Sequence, residues 1–141
     1  MKFPYIKLPV DPSEAFPERK TILRPIIPVT LEFGQIKTGY MALIDSGADY
    51  CFFHSEIAEV MNLDWQKGKR LNFVGVTGQK ATSYFHNVDL YIGGWEFKVY
   101  CGFSDAISPK GFGVLGQIGF FDQFIVKFDL EKEEIEIKPR R

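Results

Sequence analysis

Long uninterrupted apolar runs are absent from this 141-residue chain. No stretch approaches the roughly 20 apolar residues of a membrane span, and the opening Met1-Lys2-Phe3-Pro4 lacks the apolar segment of a secretory leader. The expectation is a cytoplasmic protein with no membrane partner. Cysteine is scarce as well. Cys51 and Cys101 are the only two, far apart and without Cys-x-x-Cys spacing, so neither a zinc site nor a disulfide framework is signalled and buried free thiols are expected. Charge of one sign is missing: 17 Lys and Arg face 18 Asp and Glu, for a net charge of -1. Apart from Arg140-Arg141 there is no basic block, which argues against nucleic acid as a partner. Gly-x-Ser-x-Gly is also absent, and with it the sharp turn that presents a hydrolase serine.

What is present is enough apolar material for one core, with 45% hydrophobic and 16% aromatic residues. Six of the eight prolines fall between Pro4 and Pro28. Residues 1–23 therefore read as an extended, proline-rich arm, neither continuous helix nor central strand. Its apolar residues Phe3, Tyr5, Ile6, Leu8 and Phe16 suggest that it lies along the body or a partner subunit. Residues 24–141 read as the folded domain. Arg24 to Phe33 alternates as a strand, with Pro25 and Pro28 placing its start at an edge. Gly34-Gln35 turns the chain into a second strand, Ile36 to Ile44.

A short strand through Tyr50 to Phe53 precedes a brief helix, Ser55 to Met61, with Ser55 as the expected N-cap. Gly68 to Val76 and Lys80 to Tyr84 read as a hairpin with a glycine-bearing tip. Val88 to Ile92 and Trp95 to Phe103 read as another around Gly93-Gly94. A loop from Ser104 to Gly113 leads to Val114-Leu115-Gly116. A final hairpin joins Phe124–Leu130 to Glu134–Lys138. Short strands at regular spacing with one brief helix predict an all-β barrel.

The stretch with chemical content is Met41-Ala42-Leu43-Ile44-Asp45-Ser46-Gly47-Ala48-Asp49. An apolar strand delivers a carboxylate and then turns sharply, and an unpaired charge in such surroundings is costly unless it has work to do. Ser46 can hydrogen-bond to backbone or carboxylate, and Gly47 allows tight geometry and close approach. Asp-Ser-Gly alone is a common turn tripeptide. Its context sharpens it: an apolar run precedes it, a glycine-tipped hairpin follows, and a second apolar-apolar-Gly run closes the pattern. His54 and His86 read as capping or surface residues. A metal site from Asp45, Asp49 and His54 matches no established spacing. The phenylalanines Phe112, Phe120, Phe121, Phe124 and Phe128 read as core or subunit contacts, since no basic groove accompanies them.

In this order the three elements resemble the retropepsin-like aspartic proteases, above all their prokaryotic single-domain members. Leu43 to Ala48 matches the active-site loop, Val74-Gly75-Val76-Thr77-Gly78 the flap, and Val114-Leu115-Gly116 the run beneath the active site. The resemblance covers about residues 24–138. It implies a small closed β-barrel of the acid-protease type with a flap hairpin and one or two short helices. It also implies Asp45 as the catalytic residue, no cofactor, and an extended peptide or protein as substrate. Ser46 would hydrogen-bond across a dimer beneath the site, the Gly47 carbonyl would meet the substrate backbone, and Ala48 and Asp49 would border the cleft. Gly75, Val76, Thr77 and Gly78 would close over the peptide.

Aspartic proteolysis needs two carboxylates on one water, one acting as base and the other, protonated, polarising the scissile carbonyl. This chain carries one Asp-Ser-Gly, so the resemblance implies a symmetric homodimer in which Asp45 meets its own mate. The alternative is an inactive module of the same fold that holds a peptide without cutting it. One departure from the viral pattern stands out: Gln117 occupies the place where those members carry Arg. An ion pair near Asp49 is thereby reduced to at most a neutral hydrogen bond.

Overall fold

The computed structural model describes residues 1–74, 78–107 and 111–140. Strand β1 (Lys2–Pro4) and β2 (Ile6–Pro9) open the chain, followed by β3 (Thr21–Arg24), β4 (Ile26–Phe33) and β5 (Ile36–Ile44). Next come β6 (Phe52–His54), helix α1 (Ser55–Val60) and a 3-10 turn at Trp65–Lys67. Strands β7 (Lys69–Val74), β8 (Lys80–Ile92), β9 (Trp95–Ser104), β10 (Gly113–Leu115), β11 (Phe124–Asp129) and β12 (Glu134–Pro139) complete the order.

Seven strands form the main sheet in the order β4-β5-β10-β6-β9-β8-β7. A further antiparallel pairing of β4 with β8, Thr30 to Glu32 against Tyr91 to Asp89, joins the sheet to itself and closes a ring. Closure covers part of the edge that β4 would expose in an open sheet. Within β4, Ile27, Val29 and Leu31 are buried while Pro28 is exposed. Pro28 pairs only with β5, outside the segment joined to β8, so its missing N–H interrupts no second ladder.

Alternation predicts two strands across residues 80–92, with a break between them. The structure has one 13-residue strand whose buried positions Ser83, Phe85, Val88, Leu90 and Ile92 shift register once, between Phe85 and Val88. That shift interrupts the strict alternation and gives the sequence the look of a boundary. The turn from β8 to β9 falls where two glycines stand, with φ +55° at Gly93 and +85° at Gly94, the left-handed pair that a two-residue hairpin requires. The helix cap also differs from the expectation. His54, not Ser55, is the N-cap: its Nδ1 accepts from the Glu56 N–H at 3.0 Å. The imidazole is buried and Ser55 already lies inside the helix.

The N-terminal segment is paired on both of its short strands. β1 runs antiparallel to β12 in a three-stranded sheet, β1-β12-β11, and the Met1 amino group donates to the Ile137 carbonyl at 2.9 Å. β2 pairs with β3 in a separate two-stranded ribbon. Residues 11–20 between them are exposed throughout.

The core is contiguous and aromatic. Phe53, Phe103, Phe120 and Phe124 are fully buried, with Leu31, Leu90, Leu115 and Ile135. Phe120 packs on Phe124 at 5.2 Å and Phe53 on Phe103 at 6.3 Å. Truncating the fully buried Phe103 to Ala, near the C-terminal end of β9, is expected to cost about 3–5 kcal/mol of unfolding free energy in denaturant titration, since its ring packs against Phe53 and His86 inside a closed sheet that cannot collapse inward.

Candidate active site

Two apolar runs far apart in sequence end side by side. β10 lies parallel to β5, with Gly113 opposite Ala42, Val114 opposite Leu43 and Leu115 opposite Ile44. On its other flank β10 meets β6 in antiparallel register, Val114 opposite Phe52. One residue beyond the parallel pair, the Asp45 N–H donates to the Leu115 carbonyl at 3.0 Å, so the ladder continues into the loop. The next two bonds reverse direction: Gln117 N–H to the Ala48 carbonyl at 2.8 Å and Ile118 N–H to the Asp49 carbonyl at 2.9 Å. Residues 45–50 are thus stitched to residues 115–118 along both arms of the turn.

Gly116 is what lets the two segments close. A Cβ at this position would overlap the Tyr50 carbonyl oxygen and lie 2.7 Å from that of Ala48. Both are backbone atoms that cannot rotate away. Beneath the stitch sits Cys51, whose Sγ accepts from the Gly116 N–H at 3.4 Å and donates to the Ile118 carbonyl at 3.6 Å. Burial pushes the Cys51 thiol up to about 12, against a smaller lowering by the Gly116 hydrogen bond. Burial also raises Cys101 well above the ordinary thiol range. Both cysteines are free and buried.

Asp45 stands at the mouth of this arrangement, half-buried. Its Oδ1 accepts from the Gly47 N–H at 2.9 Å, and its carbonyl accepts from the Ala48 N–H at 3.2 Å. Both bonds curl the chain tightly around the carboxylate and aim it out of the strand end. Ser46, Gly47 and Asp49 are exposed and Ala48 is half-buried. The Gln117 side chain donates from Nε2 to the Ser46 carbonyl at 2.9 Å. The neutral bond anticipated near Asp49 is therefore made instead to the crest of the loop.

Asp45 opens into a cleft of about 700 Å³. The loop contributes Gly47, Ala48, Asp49 and Tyr50 to its lining, and β6 and β10 contribute Phe52 and Val114. Across from them run Leu71, Asn72, Phe73 and Val74 of β7, with Ile107. An aromatic chain ties these elements together: Phe52 lies 4.9 Å from Phe73 and 5.8 Å from Phe85, and Tyr50 lies 5.6 Å from Phe85. The base of the β7–β8 hairpin is thereby fixed relative to the Asp45 loop. Of the flap residues named from sequence, Gly75, Val76 and Thr77 lie outside the described residues. Gly78 is exposed with φ +80°.

Val114, Leu115 and Gly116 meet the Asp45 loop as described, with Leu115 fully buried and Val114 reaching the cleft. His54 is occupied by its capping bond, and the His86 Nε2 donates to the Trp65 carbonyl at 2.7 Å, so neither imidazole joins Asp45. Among the described residues, the acidic trio close enough to share an ion is Glu32, Asp89 and Glu96, on β4, β8 and β9. Tyr91 donates to Glu32 and Lys98 to Asp89, so this trio has its own partners. Two features carry no motif and escape a reading of the sequence: Cys51 as a hydrogen-bonding support, and the aromatic chain through Tyr50, Phe52 and Phe73. For the second, the alternation of Tyr50 and Phe52 on the segment entering β6 is the available signal.

Residues 27–117 match the protein family described as aspartyl protease. No curated protein shows a significant match to the chain. Among solved structures, a retropepsin-like aspartic protease from Rickettsia conorii superposes with a TM-score of 0.56 at 16% identity, covering 94% of this chain and 98% of that one. EIAV protease complexed with the inhibitor HBY-793 superposes with a TM-score of 0.50 at 20% identity, covering 67% of this chain and 82% of that one. At these identities the likeness is one of fold.

The stitched loop predicts three outcomes. Gly116→Ala should destabilise the protein by about 3 kcal/mol in denaturant titration, because its methyl has only fixed backbone to meet, whereas Gln117→Ala should cost about 1 kcal/mol. Cys51, protonated and buried, should resist iodoacetamide in the folded protein at pH 8 and be alkylated fully after denaturation, as read by intact mass.

Proposed function

Because the chain belongs to the aspartyl protease family, we propose that it is an endopeptidase that works as a symmetric homodimer, with Asp45 from each chain sharing one catalytic water. The observation that carries this reading is the placement of Asp45. A half-buried carboxylate leaves the end of a core strand, is gripped by the Gly47 N–H, and faces a large cleft with apolar walls.

One copy supplies one such carboxylate, and a two-fold axis passing beside Asp45 would bring the second. Two carboxylates about 4 Å apart repel by roughly 4 kcal/mol at an effective dielectric near 20, which favours a pair that holds one proton between them. That is the known behaviour of aspartic-protease dyads. The ionised member takes a proton from the water, whose oxygen attacks the scissile carbonyl. The protonated member donates to that carbonyl oxygen as the tetrahedral intermediate forms. Collapse of the intermediate breaks the C–N bond, and a proton returned by the dyad leaves with the amine. No metal or organic cofactor enters this sequence.

Substrate recognition would use the strand geometry of the cleft. β7 ends the sheet order and, among the described residues, pairs only with β8, so its other edge carries unpaired backbone groups beside the apolar lining. An extended peptide can add to such an edge and place alternate side chains against Phe52, Phe73 and Val114. The flap tip, residues 75–78, would close over it. We propose a cytoplasmic location and a division into an N-terminal arm, residues 1–23, which is joined to the body through the β1–β12 pairing, and a protease domain, residues 24–141.

The test is incubation of the purified protein with an unfolded protein substrate from acidic to neutral pH, beside Asp45→Asn. The wild type should cleave and the variant should lose at least about a thousandfold in rate, since the dyad has no base. Cleavage that survives in the variant would contradict the mechanism. Wild type that binds peptide but never cuts would favour the peptide-holding module.

A further inference from the structure

A second pocket of about 150 Å³ adjoins the cleft. Tyr50 and Leu71 line both, so the two cavities share a wall and a peptide leaving one passes the other. The pocket is otherwise apolar, lined by Phe85 of β8, Tyr100 of β9 and Ile118, which bridges to Tyr50. Tyr100 and Ile118 are large hydrophobic side chains left exposed.

Its rim is cationic. Lys69 and Arg70 are consecutive at the start of β7, both exposed and both part of the pocket lining. None of the ion pairs among the described residues involves either of them. On a chain whose net charge is -1, two adjacent cations with no carboxylate partner among those residues are a local feature and not a reflection of general basicity. They lie on the same strand whose later residues, Leu71 to Val74, line the cleft. A peptide running along β7 from Asp45 would therefore meet the apolar wall first and the two charges next.

We propose that this pocket is a selectivity site for the peptide substrate, taking an apolar side chain in the Tyr50–Leu71–Tyr100 cavity with an acidic residue beside it against Lys69 and Arg70. The inference rests on the protease reading. In a two-fold symmetric dimer each subunit brings one such pocket, so the preference for acidic residues falls on both sides of the cut. The charge contribution is of the partly exposed kind, worth about fivefold in kcat/KM for Glu over Gln, and it weakens as salt rises.

The test is digestion of a mixed peptide library, read by mass spectrometry, with wild type, Asp45→Asn and the double variant Lys69→Glu/Arg70→Glu. Both substituted rim residues are exposed, so thermal unfolding should be unchanged and serves as the folding control. The expected result is Asp45-dependent cleavage with Asp and Glu enriched on both flanks of the cut in wild type, and Lys and Arg enriched instead in the double variant. Asp45-dependent cleavage with no acidic enrichment, or with enrichment that charge reversal leaves in place, would overturn the selectivity site while the protease reading stands. A double variant that keeps its selectivity but changes its sedimentation would assign the pocket to subunit contact and also overturn it. No Asp45-dependent cleavage at all would remove both.

Discussion

The contact on which the site depends is the parallel seam between β5 and β10, closed at its end by Gly116. Ile44 and Leu115 bury their side chains in the core, so the seam is held by the same apolar burial that holds the sheet. Beyond the seam the chain becomes polar and turns away from the core. The loop at Asp45 has few interactions of its own and takes its shape from four hydrogen bonds to residues 115–118. A methyl group on Gly116 would push against the Tyr50 and Ala48 carbonyls and prise the two segments apart. Core packing, loop shape and carboxylate position are therefore one problem with one solution.

The support beneath the loop is neutral. Gln117 holds the crest through the Ser46 carbonyl, and Cys51 fills the space below as a protonated thiol bonded to Gly116 and Ile118. A charged residue in place of Gln117 would bring its own demand for a partner close to Asp45. With none, the field around Asp45 is set by its own turn and by whatever it faces. In the proposed dimer that is a second copy of itself, and the repulsion between them is not offset by a nearby cation on this loop. The apolar cleft walls suit a substrate held by backbone pairing, and the cationic pair at the start of β7 offers a charged group something to meet at a distance from the reaction.

Much of this is legible in the residues. The strands from 24 to 44, the double-glycine hairpin and the C-terminal hairpin come from alternation and turn chemistry, and the Asp45 loop with its partner run comes from two apolar-to-glycine endings. The departures have physical causes. β8 looks broken in sequence because its inward face changes register between Phe85 and Val88. The helix cap moves from Ser55 to His54 because an imidazole nitrogen can accept a backbone N–H as a hydroxyl does, and composition rules favour the hydroxyl. The Gln117 bond goes to Ser46 because loop curvature, which no spacing rule contains, brings that carbonyl within reach. The pairing of β1 with β12 joins the two ends of the chain, and nothing local in Lys2 to Pro4 encodes a partner so distant in sequence.

The central claim is that the catalytic pair is built from two chains. It is tested most directly by unfolding wild type together with increasing proportions of Asp45→Asn, refolding the mixture, and measuring cleavage per total chain. If each site needs Asp45 from both subunits, activity follows the square of the wild-type fraction and equal mixing leaves about a quarter of it. Activity that falls in direct proportion, to about half at equal mixing, would mean that one chain suffices, and would contradict the account.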